Sequence, residues 1–209
     1  MNAGSPNSPD VDSTSHIVLI HGIAGHRWLL WPLAWQLRRY GFSTSTFGYP
    51  SLWGSIERHA KNFEHYLAKL DQDPAITSFH VVAHSMGSIV TRQTVLEAKF
   101  EKLDRIVMLA SPNKGSPAAK LLGAIVPFCK TLRQLSSGSN SFVRLMPEPT
   151  DAQIGIIAAQ HDRVIPEPNS HLANEVDHIT IFSGHNGLLV RPTAVKQIAA
   201  FLRHGRFQR

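Results

Sequence analysis

The residues that could do chemistry here start with a serine, in Ala83-His84-Ser85-Met86-Gly87. It follows an apolar run, Phe79-His80-Val81-Val82-Ala83, and opens a helical pattern from Ser85 to Glu97. A sharp strand-to-helix turn with small residues around a serine is the setting of a nucleophile elbow. The turn lifts Oγ clear at the carboxyl edge of a sheet and aims the next backbone N–H, that of Met86, at a developing oxyanion. Gly87 is the small residue on one side and Ala83 on the other; alanine stands where the strict pattern has glycine. Serine also caps helices, so the competing reading of Ser85 is a helix cap.

A serine hydroxyl is a weak nucleophile at neutral pH and needs a base, and an imidazole base needs a carboxylate to fix its tautomer. Serine, acid, histidine is one chain order in which such a set occurs. Asp162 lies in Gln160-His161-Asp162-Arg163-Val164-Ile165-Pro166, just past the apolar run Ile154 to Ala158. Loops leaving the carboxyl end of a strand collect ligand-handling residues. Asp151 precedes that run and Asp177 introduces the next, which assigns both to the opposite edge; Glu167 is a further candidate. His185, in Ser183-Gly184-His185-Asn186-Gly187, follows the run Ile179 to Phe182. Its flanking glycines let the loop fold back over a sheet. His178 sits before that run and His204 in the basic tail. The competing readings are a turn or cap aspartate and a surface-loop histidine. His21-Gly22-Ile23-Ala24-Gly25 ends the first apolar run; the Ile23 N–H is the candidate second oxyanion donor, and His21 reads as a brace for that loop rather than as the base.

Those positions need a scaffold that brings strand ends together. Ile17 to Ile20, Phe79 to Ala83, Ile106 to Leu109, Ile154 to Ala158 and Ile179 to Phe182 are continuous apolar runs of the kind that strands buried on both faces show, and Ser43 to Phe47 is a weaker one. Helical periodicity falls between them, over Trp31 to Tyr40, Ile56 to Leu70, Ser85 to Glu97 and Val190 to Leu202. The alternation predicts an α/β fold, a mostly parallel sheet of about six strands flanked by helices. From Pro112 to Thr150 no strand is evident, and an insertion this long reads either as a short cap or lid (112–150) or as ordinary helix packed on the sheet.

The 209 residues suffice for one domain with a sizeable core. We expect a disordered leader over 1–15, rich in Ser, Pro, Asn and Asp, and a single domain over 16–209. The leader lacks a basic start and an apolar run, and no stretch is apolar enough to span a bilayer, so the expected location is cytoplasmic. The net charge is +6 and charged residues are 17% of the chain. The basic residues are scattered except for Arg203, His204, Arg206 and Arg209, and no aromatic-interleaved stripe points to nucleic acid. One cysteine, Cys129, excludes an internal disulfide and a cysteine metal cluster.

Taken together, His21-Gly22-Ile23, Ala83-His84-Ser85-Met86-Gly87, Ser111-Pro112-Asn113-Lys114-Gly115-Ser116, Asp162 and His185-Asn186-Gly187 resemble the α/β-hydrolase superfamily, and within it the compact bacterial lipase and esterase branch. The likeness runs from Ile17 to Phe201. It implies ester hydrolysis through an acyl-enzyme, with no cofactor and no metal, on a small-molecule or lipid ester. Trp28, Leu29 and Leu30, Leu52 and Trp53, and Leu188 and Leu189 flank these loops and are expected either to line an acyl site or to be core. A thioesterase, amidase or acyltransferase would use the same triad. A non-catalytic binding protein docking membranes through Leu121 to Val126 is the third reading.

Overall fold

The computed structural model describes residues 15–126 and 128–209. The expected leader therefore lies outside the described residues except for Ser15, which already belongs to the first strand. Six strands are described: β1 (Ser15–Ile20), β2 (Ser43–Phe47), β3 (Ser78–His84), β4 (Leu103–Leu109), β5 (Gln153–Ala159) and β6 (Asp177–Ile181). They form one sheet in the order β2-β1-β3-β4-β5-β6, and every pairing is parallel. Parallel strands need crossovers, and these are supplied chiefly by helices α1 (Trp31–Arg39), α2 (Ile56–Gln72) and α3 (Met86–Glu97), with α7 (Pro192–His204) following β6.

Each inner strand is apolar on both sides because each faces helices on both sides. In β1, Val18 and Ile20 join Phe63 and Leu67 of α2 and Met86, Ile89 and Val90 of α3 in one core layer. Ile17 and Leu19 join Leu33 and Leu37 of α1 and Val195, Ile198 and Phe201 of α7 in the other. The two-residue period of a strand makes this split unavoidable. The weak pattern of Ser43–Phe47 has its cause in position: β2 is an edge strand paired only with β1, so it has less apolar surface to hide. Asp177 and His178 lie within β6, the other edge, rather than ahead of it.

Between β4 and β5 the expected insertion holds three short helices, α4 (Pro117–Ile125), α5 (Lys130–Gln134) and α6 (Phe142–Leu145). It is tied down at both stems by one side chain. Arg92 of α3 is buried, and its guanidinium donates to the carbonyls of Asn113, Met146 and Pro147. The middle is tied to the first turn of α2: Gln134 accepts from the Ile56 N–H at 2.8 Å and donates to Glu57 at 2.6 Å. Its outer face stays apolar and open, with Leu121 67%, Ile125 69% and Phe128 82% exposed. No helix among the described residues is long and apolar enough to cross a membrane.

Candidate active site

The strand order reverses beside β1, which lies between β2 and β3. Crevices at such switch points, beyond the carboxyl ends of the strands, are where open parallel sheets bind ligands. The loop after β1 and the turn after β3 meet there.

Ser85 occupies that turn with φ 53° and ψ −124°, a backbone state that costs a non-glycine residue about 1–3 kcal/mol. The surroundings hold it in place. The Ser85 N–H donates to the Leu109 carbonyl at 2.8 Å, extending the β3–β4 ladder by one residue. Ser85 makes no side-chain hydrogen bond to α3, so its hydroxyl does not cap the helix. Gly87 is required by close approach: a Cβ there would lie 2.7 Å from the His21 carbonyl oxygen and 2.9 Å from that of Ile20. Ala83 is fully buried among the apolar residues under α2 and α3, where its methyl is part of the packing.

Asp162 and His185 reach the same rim. Asp162 follows β5 in a turn that its own carboxylate organises, Oδ1 accepting from the Val164 and Ile165 N–H groups at 2.8 Å each. Its other oxygen, Oδ2, lies 2.7 Å from His185 Nδ1, and His185 Nε2 lies 3.0 Å from Ser85 Oγ. Burial pushes the Asp162 carboxyl upward, but the hydrogen bonds from His185, Ile165 and Val164 outweigh it and hold it below its ordinary value. An ionised carboxylate only accepts, so Nδ1 carries the proton and a neutral His185 presents the Nε2 lone pair to the serine. The Asp162 and His185 loops are joined directly, the His161 N–H donating to the Ser183 carbonyl at 2.9 Å. Asp151 lies exposed before β5, bonded to Lys99; Glu167, on the far stretch of the Asp162 loop, and His178, in β6, belong to a separate cluster.

The loop after β1 presses on Ser85. A Cβ on Gly22 would sit 2.8 Å from Ser85 Cβ and 3.3 Å from Oγ. Close approach, more than turning, is therefore what this glycine provides. His21 braces the loop: its Nδ1 donates to the Gly22 carbonyl at 2.9 Å, its Nε2 accepts from the Tyr49 N–H at 3.4 Å, and its ring stacks on Tyr49 at 4.5 Å. Burial pushes the Tyr49 phenol up, keeping it protonated to donate to the His21 carbonyl at 2.8 Å. Among the described residues neither the Ile23 nor the Met86 N–H has a hydrogen-bond partner. One follows Ser85 at the N-terminus of α3 and the other follows Gly22, and open N–H donors of this kind are suited to a developing negative charge.

Of the flanking apolar residues, Trp28, Leu29, Leu52 and Trp53 are exposed. Leu188 is not available to a ligand: it is fully buried, with Leu30 and Leu189 also buried, in the layer shared with α1 and α7. A short turn, His185–Leu189, carries it inward to anchor the histidine. A second residue of this site is visible only in three dimensions. His84 is buried against His185, its Nε2 3.3 Å from the His185 carbonyl and the rings 4.9 Å apart. Burial, with a smaller push from His185, lowers His84 to about 3, so it stays neutral beside His185.

Several solved structures share this architecture. Lipase BlEst2 of Bacillus licheniformis in its propeptide form superposes with a TM-score of 0.75 at 15% identity, over 99% of this chain but only 53% of that one. The mature form of the same lipase gives 0.71 at 14%, over 97% and 96% of the two chains. The metagenomic carboxyl esterase MGS0156 gives 0.69 at 15%, over 88% and 69%. At such identities the likeness is one of fold. No curated protein sequence matches the chain. The sequence profile of the alpha/beta hydrolase family does match, over residues 17–177, from β1 through the elbow and the acid loop to the first residue of β6. With that span and this sheet, the chain belongs to the alpha/beta hydrolase family.

Proposed function

We propose that the chain hydrolyses carboxylic esters through an acyl-enzyme formed on Ser85, with His185 as the base and Asp162 as its orienting acid. The observation that carries this reading is the unbroken pair of hydrogen bonds, 2.7 Å from Asp162 to His185 and 3.0 Å from His185 to Ser85. Ser85 Oγ attacks the ester carbonyl as its proton passes to His185 Nε2. Asp162 stabilises the imidazolium, and the Ile23 and Met86 N–H groups take the oxyanion. The tetrahedral intermediate collapses as His185 returns the proton to the departing alcohol. Water, deprotonated by His185, then attacks the acyl-enzyme and releases the acid and the free serine. Removing one such oxyanion donor costs about 3–4 kcal/mol in comparable sites.

An apolar acyl group is the favoured substrate. Trp28, Leu29, Leu52 and Trp53 stand exposed on the loops after β1 and β2, and Leu121, Ile125 and Phe128 on the insertion. Exposed apolar surface of this kind marks contact with lipid or protein. In this reading the insertion serves as a lid that meets a lipid surface transiently.

The test is hydrolysis of p-nitrophenyl esters over a range of acyl lengths, beside Ser85→Ala. Loss of turnover and of fluorophosphonate labelling in the variant is expected. Unchanged turnover would remove Ser85 from the mechanism. Parallel thioester and amide substrates separate the thioesterase and amidase alternatives, an added acyl acceptor alcohol separates acyl transfer, and an unlabelled wild-type protein would favour the binding-protein reading.

A further inference from the structure

Away from the serine, the far stretch of the acid loop gathers a second set of titratable side chains that ester hydrolysis does not use. Glu167, in a single 3₁₀ turn (Glu167–Asn169), His171 on the loop that follows, and His178 in the edge strand β6 each bring a ligand atom within 4.8 Å of the others. His171 Nε2 lies 2.8 Å from Glu167 Oε1, and the His171 and His178 rings stack at 3.9 Å. We infer that Glu167, His171 and His178 form a site for a divalent transition metal of zinc type, with Glu175 as the carboxylate that orients His171.

The surrounding hydrogen bonds match what such a site needs. A histidine that binds a metal through one ring nitrogen donates the other N–H to a carboxylate, which fixes its tautomer and raises its basicity. His171 Nδ1 lies 2.6 Å from Glu175 Oε1, and Glu175 is held in turn by its other oxygen, which accepts from the Leu172 N–H at 2.8 Å. Ser170 orients the second ring, its Oγ 3.0 Å from His178 Nε2. Zinc-to-ligand bonds of about 2.0–2.2 Å place ligand atoms roughly 3.3 Å apart in a tetrahedron. A set already within 4.8 Å closes that gap by side-chain rotation and a small fanning of the two rings. Two imidazoles and one carboxylate select zinc-type ions over calcium or magnesium. Bound there, the ion would staple the end of the loop that begins with Asp162 to an edge strand that pairs only with β5.

The test is a binding measurement and is independent of any ester activity. Zinc chloride titrated into the full chain is expected to bind with one equivalent and raise the melting temperature, and cobalt(II) to give visible d–d absorption. His178→Ala should abolish both signals, and Glu167→Gln, which keeps the side-chain shape and serves if the histidine variant folds poorly, should do the same. Glu175→Gln should weaken zinc about tenfold to a hundredfold. His65→Ala, on the exposed face of α2, should bind like wild type. Absence of a cobalt spectrum and of a zinc-induced melting shift in wild type, or undiminished binding in Glu167→Gln, would overturn the inference.

Discussion

Gly22 faces Ser85 so closely that a methyl group on it would lie 2.8 Å from Ser85 Cβ. In the proposed mechanism the Ile23 N–H, one residue past this contact, takes the oxyanion. Gly22→Ala should therefore push the loop away from Ser85 while leaving the Asp162 and His185 side chains unchanged. Displacements of about 1 Å can cost roughly a hundredfold in rate. We expect kcat for a short soluble ester to fall by about that factor while fluorophosphonate labelling persists at a reduced rate; unaltered kcat would show that the Ile23 N–H takes no part.

The hydrogen bond from His185 Nδ1 to Asp162 sets which nitrogen faces the serine. Asp162→Asn keeps the shape but presents an amide that can donate, favouring the wrong tautomer. Turnover should fall by about 10⁴-fold, as in other triads. The Asp162 carboxyl is held below its ordinary value in the fold, so it contributes stability that is complete above the unfolded carboxyl value of about 4 and is lost as pH falls through the lower folded one. Denaturant unfolding of wild type and Asp162→Asn should differ in pH dependence below about pH 4 and run parallel at neutral pH.

Two buried histidines act on stability in a different window. Burial lowers His84 to about 3 and His80 to about 4. An unfolded histidine takes up its proton near pH 6.5. Between about 6.5 and those lower values the unfolded chain binds protons that the folded chain refuses. Stability should thus decline as pH drops from about 6.5, by up to about 1.4 kcal/mol per pH unit for each such group. Measured unfolding free energies from pH 7 to 4 check this, and His84→Gln should flatten the slope; an equal slope in the variant would contradict a neutral, buried His84.

Arg92 joins α3 to both stems of the insertion through three carbonyl groups. Arg92→Met fills much of the space but leaves those acceptors unsatisfied, at about 1–3 kcal/mol each where they stay dry. We expect a loss of roughly 3 kcal/mol or more in denaturant unfolding and faster proteolysis within residues 112–150. Protection equal to wild type would show that the stems are held by other contacts.

If the insertion meets lipid, its exposed face should matter only at an interface. Replacing Leu121 and Ile125 with Ser is expected to lower the rate on emulsified long-chain ester severalfold and leave a soluble short-chain ester unchanged. Equal rates on the emulsion would assign that face another role.

The fold was legible because its signals are local. Runs such as Ile17 to Ile20 are apolar throughout since each strand is covered on both sides, and the alternation with helical patterns left little besides a parallel sheet. The turn at Ser85 was readable for the same reason: a tight elbow accepts only small residues at Ala83 and Gly87. Edges were harder to read, because β2 and β6 have one neighbour each and need less apolar sequence; Asp177 and His178 look like a preceding loop for that reason.

What tertiary structure decided was everything that depends on distant segments meeting. Sequence could nominate Ser85, Asp162 and His185 one by one, but the strand order is what delivers the ends of β3, β5 and β6 to one rim. It could not tell that Leu188 turns inward beneath the histidine rather than outward to a ligand, since an apolar residue after a loop fits either side. Nor could it assign His84, Arg92 or the Glu167, His171 and His178 cluster. Burial, clamping and the close approach of side chains from separate segments belong to neighbours in space.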